Sequence, residues 1–453
     1  MFFKRHKILT TFLVLLAGFA VFAAIKWRTW FYNPEEKPYT VGTTPQWVLL
    51  TFGNNGEQSR NVSWVCGDSV CPSMLQLVDI DKCDTVNIEA TGEVFQSRAG
   101  KAAYYVARLN NLNPDTRYSY RVMTNGVCSE WYDFHTYQSN RDSLSFVYIG
   151  DVQDTIGGTT NTILKEALRR NPQAEMLVCG GDLTERPTYR HWQQTFTDLD
   201  SIAQHMSVLN VTGNHDYLKG VTVSLERRFP LIFSYFLQSK MDDNMVYTVT
   251  IGNAQFFLLD SNREFWHLRT QSDWLEEQLK KSTAKWKIVV IHHPLYSIKG
   301  NNWIQRLCFN GIIQDYGVDL VLQGHEHAYA RRTMKDENGT PTTPVYTISH
   351  CSPKNYLIQF DDDFDKYGIS SRYYQTVSLH GDTMALATYD ANTHELYDSL
   401  NIIKTGGITT IEDFGKNIKE NMHYQVNPNS SKSRKFNERI EEYKRRHPER
   451  INM

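Results

Sequence analysis

Hydrophobic and polar positions along the chain fall into three textures, each predicting a different kind of structure. Residues 8–25 are an apolar stretch that comes after Lys4, Arg5 and Lys7 and contains no charge. Residues 39–137 carry short runs rich in Val, Tyr and Trp (47–51, 61–65, 104–109, 117–122), separated by Gly, Asn and Pro. β-Branched and aromatic residues in that arrangement predict an all-β sandwich. From 144 to about 404 the pattern alternates. Residues 160–170, 272–281 and 304–316 show helical periodicity, whereas 145–149, 175–179, 206–211, 287–291 and 318–322 are mostly apolar runs of the length of buried strands. Further strands are predicted at 344–349, 373–379, 383–389 and 395–402. This order predicts an α/β (α+β) domain of two mixed β-sheets packed together and flanked by helices.

The chain therefore divides into residues 1–32, a signal peptide or membrane anchor; 39–137, the sandwich; 144–404, the α/β domain; and 405–453, a polar tail. With 453 residues and 41% hydrophobic content it is long enough for two or three domains with their own cores. A net charge of −2 argues against a wholesale nucleic-acid binder, and no nucleic-acid partner is expected. The first apolar run has 18 residues, the lower limit for spanning a bilayer and slightly long for a signal peptide. Trp27, Trp30, Phe31 and Tyr32 resemble an interfacial belt and favour an uncleaved anchor, while Ala20, Ala23 and Ala24 permit cleavage. Either reading exports the rest of the chain, giving a periplasmic, extracellular or membrane-anchored protein. Of the seven cysteines, Cys66, Cys71, Cys83 and Cys128 fall in the sandwich, where an exported chain can pair them. Residues 432–451 hold eight Lys or Arg against four Glu, which reads as a solvated, partly helical extension.

Candidate chemistry gathers where apolar runs end. The run up to Val211 enters Thr212-Gly213-Asn214-His215-Asp216, and two others enter Gly150-Asp151-Val152-Gln153 and Gly180-Gly181-Asp182. Two more enter His292-His293-Pro294 and Gly324-His325-Glu326-His327. In an α/β sheet the carboxyl ends of the strands form the crevice where ligands bind, which brings Asp151, Asp182, Asn214, His292, His325 and His327 together. Six oxygen and nitrogen donors exceed one tetrahedral ion and suit two metals sharing a carboxylate. The duller alternative is that Asp151 and Asp182 cap the helices after their turns. His293 and His135 read as supporting or surface residues.

The ordered set Gly150-Asp151, Gly181-Asp182, Gly213-Asn214-His215-Asp216, 289–292 and Gly324-His325-Glu326-His327-Ala328-Tyr329 resembles the calcineurin-like metallophosphoesterases, and within them the purple acid phosphatase branch. The resemblance covers roughly 40–400, including an upstream module whose stretch 112–120 looks like the corner of a fibronectin type III sandwich. It implies that Asp182 bridges two divalent ions (Mn, Fe or Zn), with Asp151 and His327 on the first and Asn214, His292 and His325 on the second. It also implies that the catalytic His215 binds phosphate or protonates the leaving group. Two departures stand out. Gln153 occupies a place where most metallophosphoesterases have His, and Glu185 a place where purple acid phosphatases have a metal-binding Tyr; both are candidates to complete the first site directly or through water. The extra histidines of that branch are also missing from 296–302. The implied function is an exported phosphatase acting on phosphate monoesters. The alternatives are a phosphodiesterase on nucleotides or lipids, and a non-catalytic surface binding protein.

Overall fold

The computed structural model describes residues 2–236, 245–300 and 302–451, so Asn301 within the stretch 296–302 lies outside them. The N-terminal apolar run lies in one helix, Phe2–Phe31. Its span Leu9–Arg28 is long and apolar enough to cross a membrane, and 0% of it is buried against the rest of the chain.

Residues of the second texture form two facing sheets. One contains Ser73–Asp79, Asp84–Glu89, Arg117–Thr124, Val127–Cys128 and Tyr132–His135. Alternate residues of Ser73–Asp79 and Arg117–Thr124 are buried, because one face of this sheet meets the core and the other meets water. The Asn113 N–H donates to the Tyr118 hydroxyl at 2.9 Å, fixing the corner read from 112–120. The facing strands Gln46–Phe52, Arg60–Val65, Lys101–Leu109 and Thr91–Gln96 do not stop at the domain edge. Thr51 pairs in parallel with Val208, so they continue an 11-stranded sheet that runs on into the α/β half. Period-two alternation lets one strand serve two cores: Val48 and Leu50 face the sandwich interior, while Trp47 and Leu49 face the larger core. The textures separate two units that the backbone joins through a shared sheet.

A 7-stranded sheet packs on the first. Its strand Trp286–Ile291 is apolar in all but one position because both faces are covered. Ile288 and Val290 point into the core between the sheets, and Val289 and Ile291 lie under the layer that includes helices Phe265–Lys281 and Trp303–Asp315. In the first sheet Ser143–Ile149, Met176–Cys179 and Ser207–Asn210 are parallel. In the second, Ala254–Leu259, Trp286–Ile291, Leu320–Gln323 and Pro341–Ile348 are parallel. Every strand that precedes a candidate ligand therefore ends at the carboxyl edge of its parallel set.

Two expectations differ from the structure. The helix expected over 272–281 starts at Phe265; its first two residues, Phe265 and Trp266, are exposed, so that turn offers no apolar stripe to the core. The expected tail, 405–453, is not a solvated extension over its described residues, 405–451. Strand Ile408–Asp413 pairs with Leu396–Thr405, and helix Ser431–Arg446 buries Phe436, Ile440 and Tyr443 in the second core. That i, i+4, i+7 stripe is narrow, and the charged faces around it dominate the composition. The seven cysteines are all unpaired thiols.

Candidate metal centre

Asp151, Asp182 and His292 are buried and offer ligand atoms within 4.8 Å of one another. His292 Nε2 lies 3.4 Å from Asp182 Oδ2 and 3.3 Å from Asn214 Oδ1. His327 Nε2 lies 3.4 Å from Asp151 Oδ1, and the His325 ring centroid is 5.1 Å from that of His292. The His325 N–H donates to Asp151 Oδ2. The strand-end turns thus bring the six predicted residues to one edge.

Neither carboxylate caps the helix that follows its own turn. The helix Thr160–Arg170 takes its N-terminal partner from Asp154, whose Oδ2 accepts from Thr160 N–H at 2.9 Å. The helix Tyr189–Asp198 takes Glu36 Oε1, 2.7 Å from Tyr189 N. Asp216 instead folds back on its own turn, accepting from Gly213 N–H at 2.7 Å.

The tautomers of two histidines are set by their partners. A carbonyl oxygen can only accept, so the 2.8 Å contact of His292 Nδ1 with Gly180 O and the 3.1 Å contact of His327 Nδ1 with Lys354 O put the proton on Nδ1. Each ring then turns Nε2 towards a carboxylate, the atom that becomes a ligand once a cation takes the place of its proton. Backbone carbonyls holding imidazoles in that orientation are the usual support of metal-binding histidines. Asp151 Oδ1 and Gln153 Oε1 are buried without a hydrogen-bond partner. Buried oxygens of this kind are costly unless something cationic or protic meets them.

The backbone is bent to make this arrangement. Asp151, Gln153, Asp182, His325 and His327 all have positive φ, from 37° to 72°. Left-handed backbone at non-glycine residues costs on the order of 1 kcal/mol or more each and concentrates at functional sites. Gly213 and Gly324 let the backbone come close to the carboxylates of Asp182 and Asp151, which a Cβ at either position would overlap.

The electrostatics select positive charge. Burial lowers the basicity of His292, but the Asp182 and Asp151 carboxylates outweigh it and raise its pKa to about 10. Burial opposes ionisation of Asp182 too, yet His292 and His215 hold it well below the usual carboxylate range. Burial pushes His325 well below its ordinary value, as it does His293, to about 3, so both stay neutral donors. His293 backs His325 at 4.2 Å between ring centroids and meets Ser261 Oγ at 2.9 Å, which makes it a support. His135 is far from this chemistry, 3.2 Å from Asp115 on the sandwich surface.

His215 sits at the rim. Its N–H donates to Asp182 Oδ1 at 2.8 Å and its Nδ1 donates to Glu185 O at 2.6 Å, which leaves Nε2 for whatever enters. The two departures separate here. Gln153 Nε2 donates to Asp182 Oδ2 at 3.0 Å, so Gln153 belongs to the cluster. The Glu185 carboxylate is instead ion-paired with Lys354. Sequence reading missed Lys354, Tyr356 and His350. The Tyr356 ring stacks on His327 at 4.2 Å, and His350 is buried 5.4 Å from His327 with both ring nitrogens unpartnered. His350 comes just after the strand Pro341–Ile348, so the strand-end rule that found the other histidines applied to it as well. Tyr356 lies in an irregular segment and gave no such signal.

Comparison with known proteins agrees with this geometry. The family model described as Calcineurin-like phosphoesterase matches residues 144–329, and that of the Purple acid Phosphatase, N-terminal domain matches 45–136. Purple acid phosphatase 23 of Arabidopsis thaliana is 23% identical over 67% of this chain and 78% of its own length. Phosphoenolpyruvate phosphatase of Allium cepa is 24% identical over 64% of this chain. Fe(3+)-Zn(2+) purple acid phosphatase 12 of Arabidopsis thaliana is 22% identical over 64% of it. The chain spans 63% and 65% of the lengths of the latter two. A purple acid phosphatase from yellow lupin (Lupinus luteus) seeds shares the fold, with a TM-score of 0.67 over 80% of this chain and 74% of that one at 16% identity. PhoD shares it with a TM-score of 0.60 over 92% of this chain and all of that one, at 12% identity.

Proposed function

Because the chain is a hydrolase of the calcineurin-like phosphoesterase family with a purple acid phosphatase N-terminal domain, we propose that it removes phosphate from monoesters at a two-metal centre outside the cell membrane. Asp182 would be shared between the ions, with Asp151 and His327 on one side and Asn214, His292 and His325 on the other. The observation that carries this reading is the pair of buried imidazoles whose Nδ1–H is tied to a carbonyl and whose Nε2 faces Asp182 or Asp151. Two divalent ions bound there would supply an activated water and neutralise charge on the phosphate. The protein's own contribution is positioning and one proton. With Nδ1 donating to Glu185 O, only Nε2 of His215 is left to hold a proton for the departing alkoxide.

The membrane reading rests on the helix Phe2–Phe31. None of its apolar span is buried, and Trp27, Trp30 and Tyr32 cluster at its end, which suits an uncleaved anchor. Purified full-length protein in detergent, supplied with Mn, Zn or Fe, is expected to hydrolyse an aryl phosphate faster than a bis-aryl phosphate. Preference for the bis-aryl ester makes it a diesterase, and hydrolysis of neither overturns the proposal.

The His215→Ala variant is expected to keep its metals and lose about 10²–10⁴-fold in turnover of alkyl phosphates. The loss should be smaller for nitrophenyl phosphate, whose leaving group needs no proton. Equal losses on both would assign His215 to binding the phosphoryl group instead.

A second expectation concerns colour. The carboxylate of Glu185 is occupied by Lys354, and the remaining first-site donors, Asp151, Gln153 and His327, give no phenolate charge-transfer band. Oxygen-rich donors favour Mn²⁺, Fe²⁺ or Mg²⁺ over softer ions, while His292 and His325 on the other side accommodate zinc. Iron-loaded protein should therefore be colourless in the visible. A tyrosinate–iron band would show that a phenol reaches the metal, and Tyr356, stacked on His327, is the candidate; Tyr189 is held elsewhere by Gln46.

A further inference from the structure

The rim of the site is built partly from the chain that leaves the N-terminal helix. A cavity of about 260 Å³ is lined by Tyr32 and Asn33 together with Asn214, His215, Arg186 and Lys219. Asn33 is held there by a reciprocal pair of hydrogen bonds to the Lys219 backbone, 2.8 Å each way. Just beyond, Glu36 is buried against Arg228 at 2.7 Å and accepts from Tyr189 N–H at 2.7 Å, so the segment is docked and not a loose tether.

Distance along the helix then places the rim in the membrane frame. Tyr32 lies four residues beyond Arg28, the last residue of the apolar span, or about 6 Å at 1.5 Å per residue. A bilayer of about 40–45 Å with a hydrocarbon core of about 30 Å leaves roughly 5–7 Å of headgroup layer on each side. If the apolar span fills the hydrocarbon, the mouth beside His215 opens at headgroup depth. Arg186 and Lys219 at that mouth present cations to whatever lies there.

We propose that the substrate is carried by the membrane itself: a phospholipid whose headgroup ends in a phosphate monoester, presented from the leaflet in which the helix ends. This rests on the phosphomonoesterase reading and on the anchor. It adds the substrate class and the direction of approach. The reaction is hydrolysis: water attacks phosphorus, the P–O bond to the lipid breaks, the lipid alkoxide takes a proton, and inorganic phosphate leaves.

The test uses metal-loaded full-length protein reconstituted in phosphatidylcholine vesicles. One arm places phosphatidate in the protein's own vesicles, a second places it in separate vesicles, and a third supplies nitrophenyl phosphate in solution. Phosphatidate in the same bilayer is expected to be cleaved at least about tenfold faster than in separate vesicles, because the anchor confines enzyme and lipid to one surface. A Gly/Ser insertion of about ten residues between Phe31 and Tyr32, with a root-mean-square reach of about 17 Å, should lower the same-vesicle rate and leave nitrophenyl phosphate turnover unchanged. Equal rates in the two vesicle arms, or no lipid cleavage while nitrophenyl phosphate is hydrolysed, would overturn the proposal and spare the phosphatase reading. Failure of all three arms would overturn both. A same-vesicle rate that survives the insertion would show that anchoring alone suffices, and would overturn the role given to the docked rim.

Discussion

Replacing His292 or Asn214 with alanine is expected to reduce phosphatase activity to background and to cut bound metal from two ions per chain to one. Both side chains converge on one point, His292 Nε2 lying 3.3 Å from Asn214 Oδ1 and 3.4 Å from Asp182 Oδ2. With either gone, the second ion would keep too few protein donors to hold its geometry. The effect on folding should be much smaller. Asn214 lies half-buried in a turn and its loss should change stability by less than about 1 kcal/mol. His292 is fully buried, so its truncation costs more, but it also relieves the carboxylates of a partner they need only when no ion is present. Metal content by elemental analysis, read beside melting curves with and without chelator, checks this. In chelator Asn214→Ala should melt with the wild type, whereas with metal the wild type should gain more, since a ligand stabilises only the state that binds it. Normal turnover by either variant with one ion missing would end the two-metal reading.

How far the sequence exposes this site depends on the kind of residue. Asp151, Asp182, Asn214, His292, His325 and His327 were legible because each comes within a few residues of the end of an apolar strand, and parallel strands must deliver their carboxyl ends to one edge. Gln153 and Glu185 occupy aligned places in the motif, yet their fates part through contacts that no spacing encodes. Gln153 reaches Asp182, and Glu185 is drawn to Lys354, 169 residues away in the chain. Tyr356 was invisible for the same reason: an irregular segment carries no period, and its ring meets His327 only in three dimensions. The fold shows a parallel contrast. Strands buried on both faces announced themselves as apolar runs, whereas helix Ser431–Arg446 hid a three-residue apolar stripe among charges. The rim formed by Tyr32 and Asn33 was likewise unreadable, since Asn33 and the Lys219 it joins are 186 positions apart.

The largest expected loss of stability lies away from the metal centre, at Arg331. This side chain reaches from strand Tyr329–Lys335 of the 7-stranded sheet to two strands of the 11-stranded one. It contacts Asp398 at 2.7 and 3.2 Å and Asp413 at 2.9 Å, and Arg331 and Asp398 are both almost fully buried. Tyr329 donates a further hydrogen bond to Asp398 at 2.7 Å. Burial opposes both charges, but their attraction wins: Asp398 is held below the ordinary carboxylate range and Arg331 well above its own. An Arg331→Met variant would leave the buried Asp398 carboxylate with the Tyr329 hydroxyl, the Ser399 N–H and only the charge of Lys366 nearby, and breaking a buried pair from one side costs about 3–5 kcal/mol. The double variant Arg331→Met, Asp398→Leu should recover much of that loss, because it removes the stranded charge along with its partner. The sign of the pH dependence separates this from a simple packing defect. In the wild type the folded pKa of Asp398 lies below its unfolded value of about 3.9, so its contribution is complete above that pH and is lost as pH falls through the depressed folded value. In Arg331→Met only Lys366 remains as a nearby cation, and burial, the largest influence on Asp398, is expected to raise the folded value above the unfolded one. The folded state then binds the extra proton, and stability should rise as pH is lowered from 7 towards 5. Denaturant midpoints at pH 7 and pH 5 for the wild type and both variants decide the matter. If Arg331→Met shows no gain at pH 5, Asp398 is not a stranded carboxylate, and the clamp between the sheets is weaker than its geometry implies.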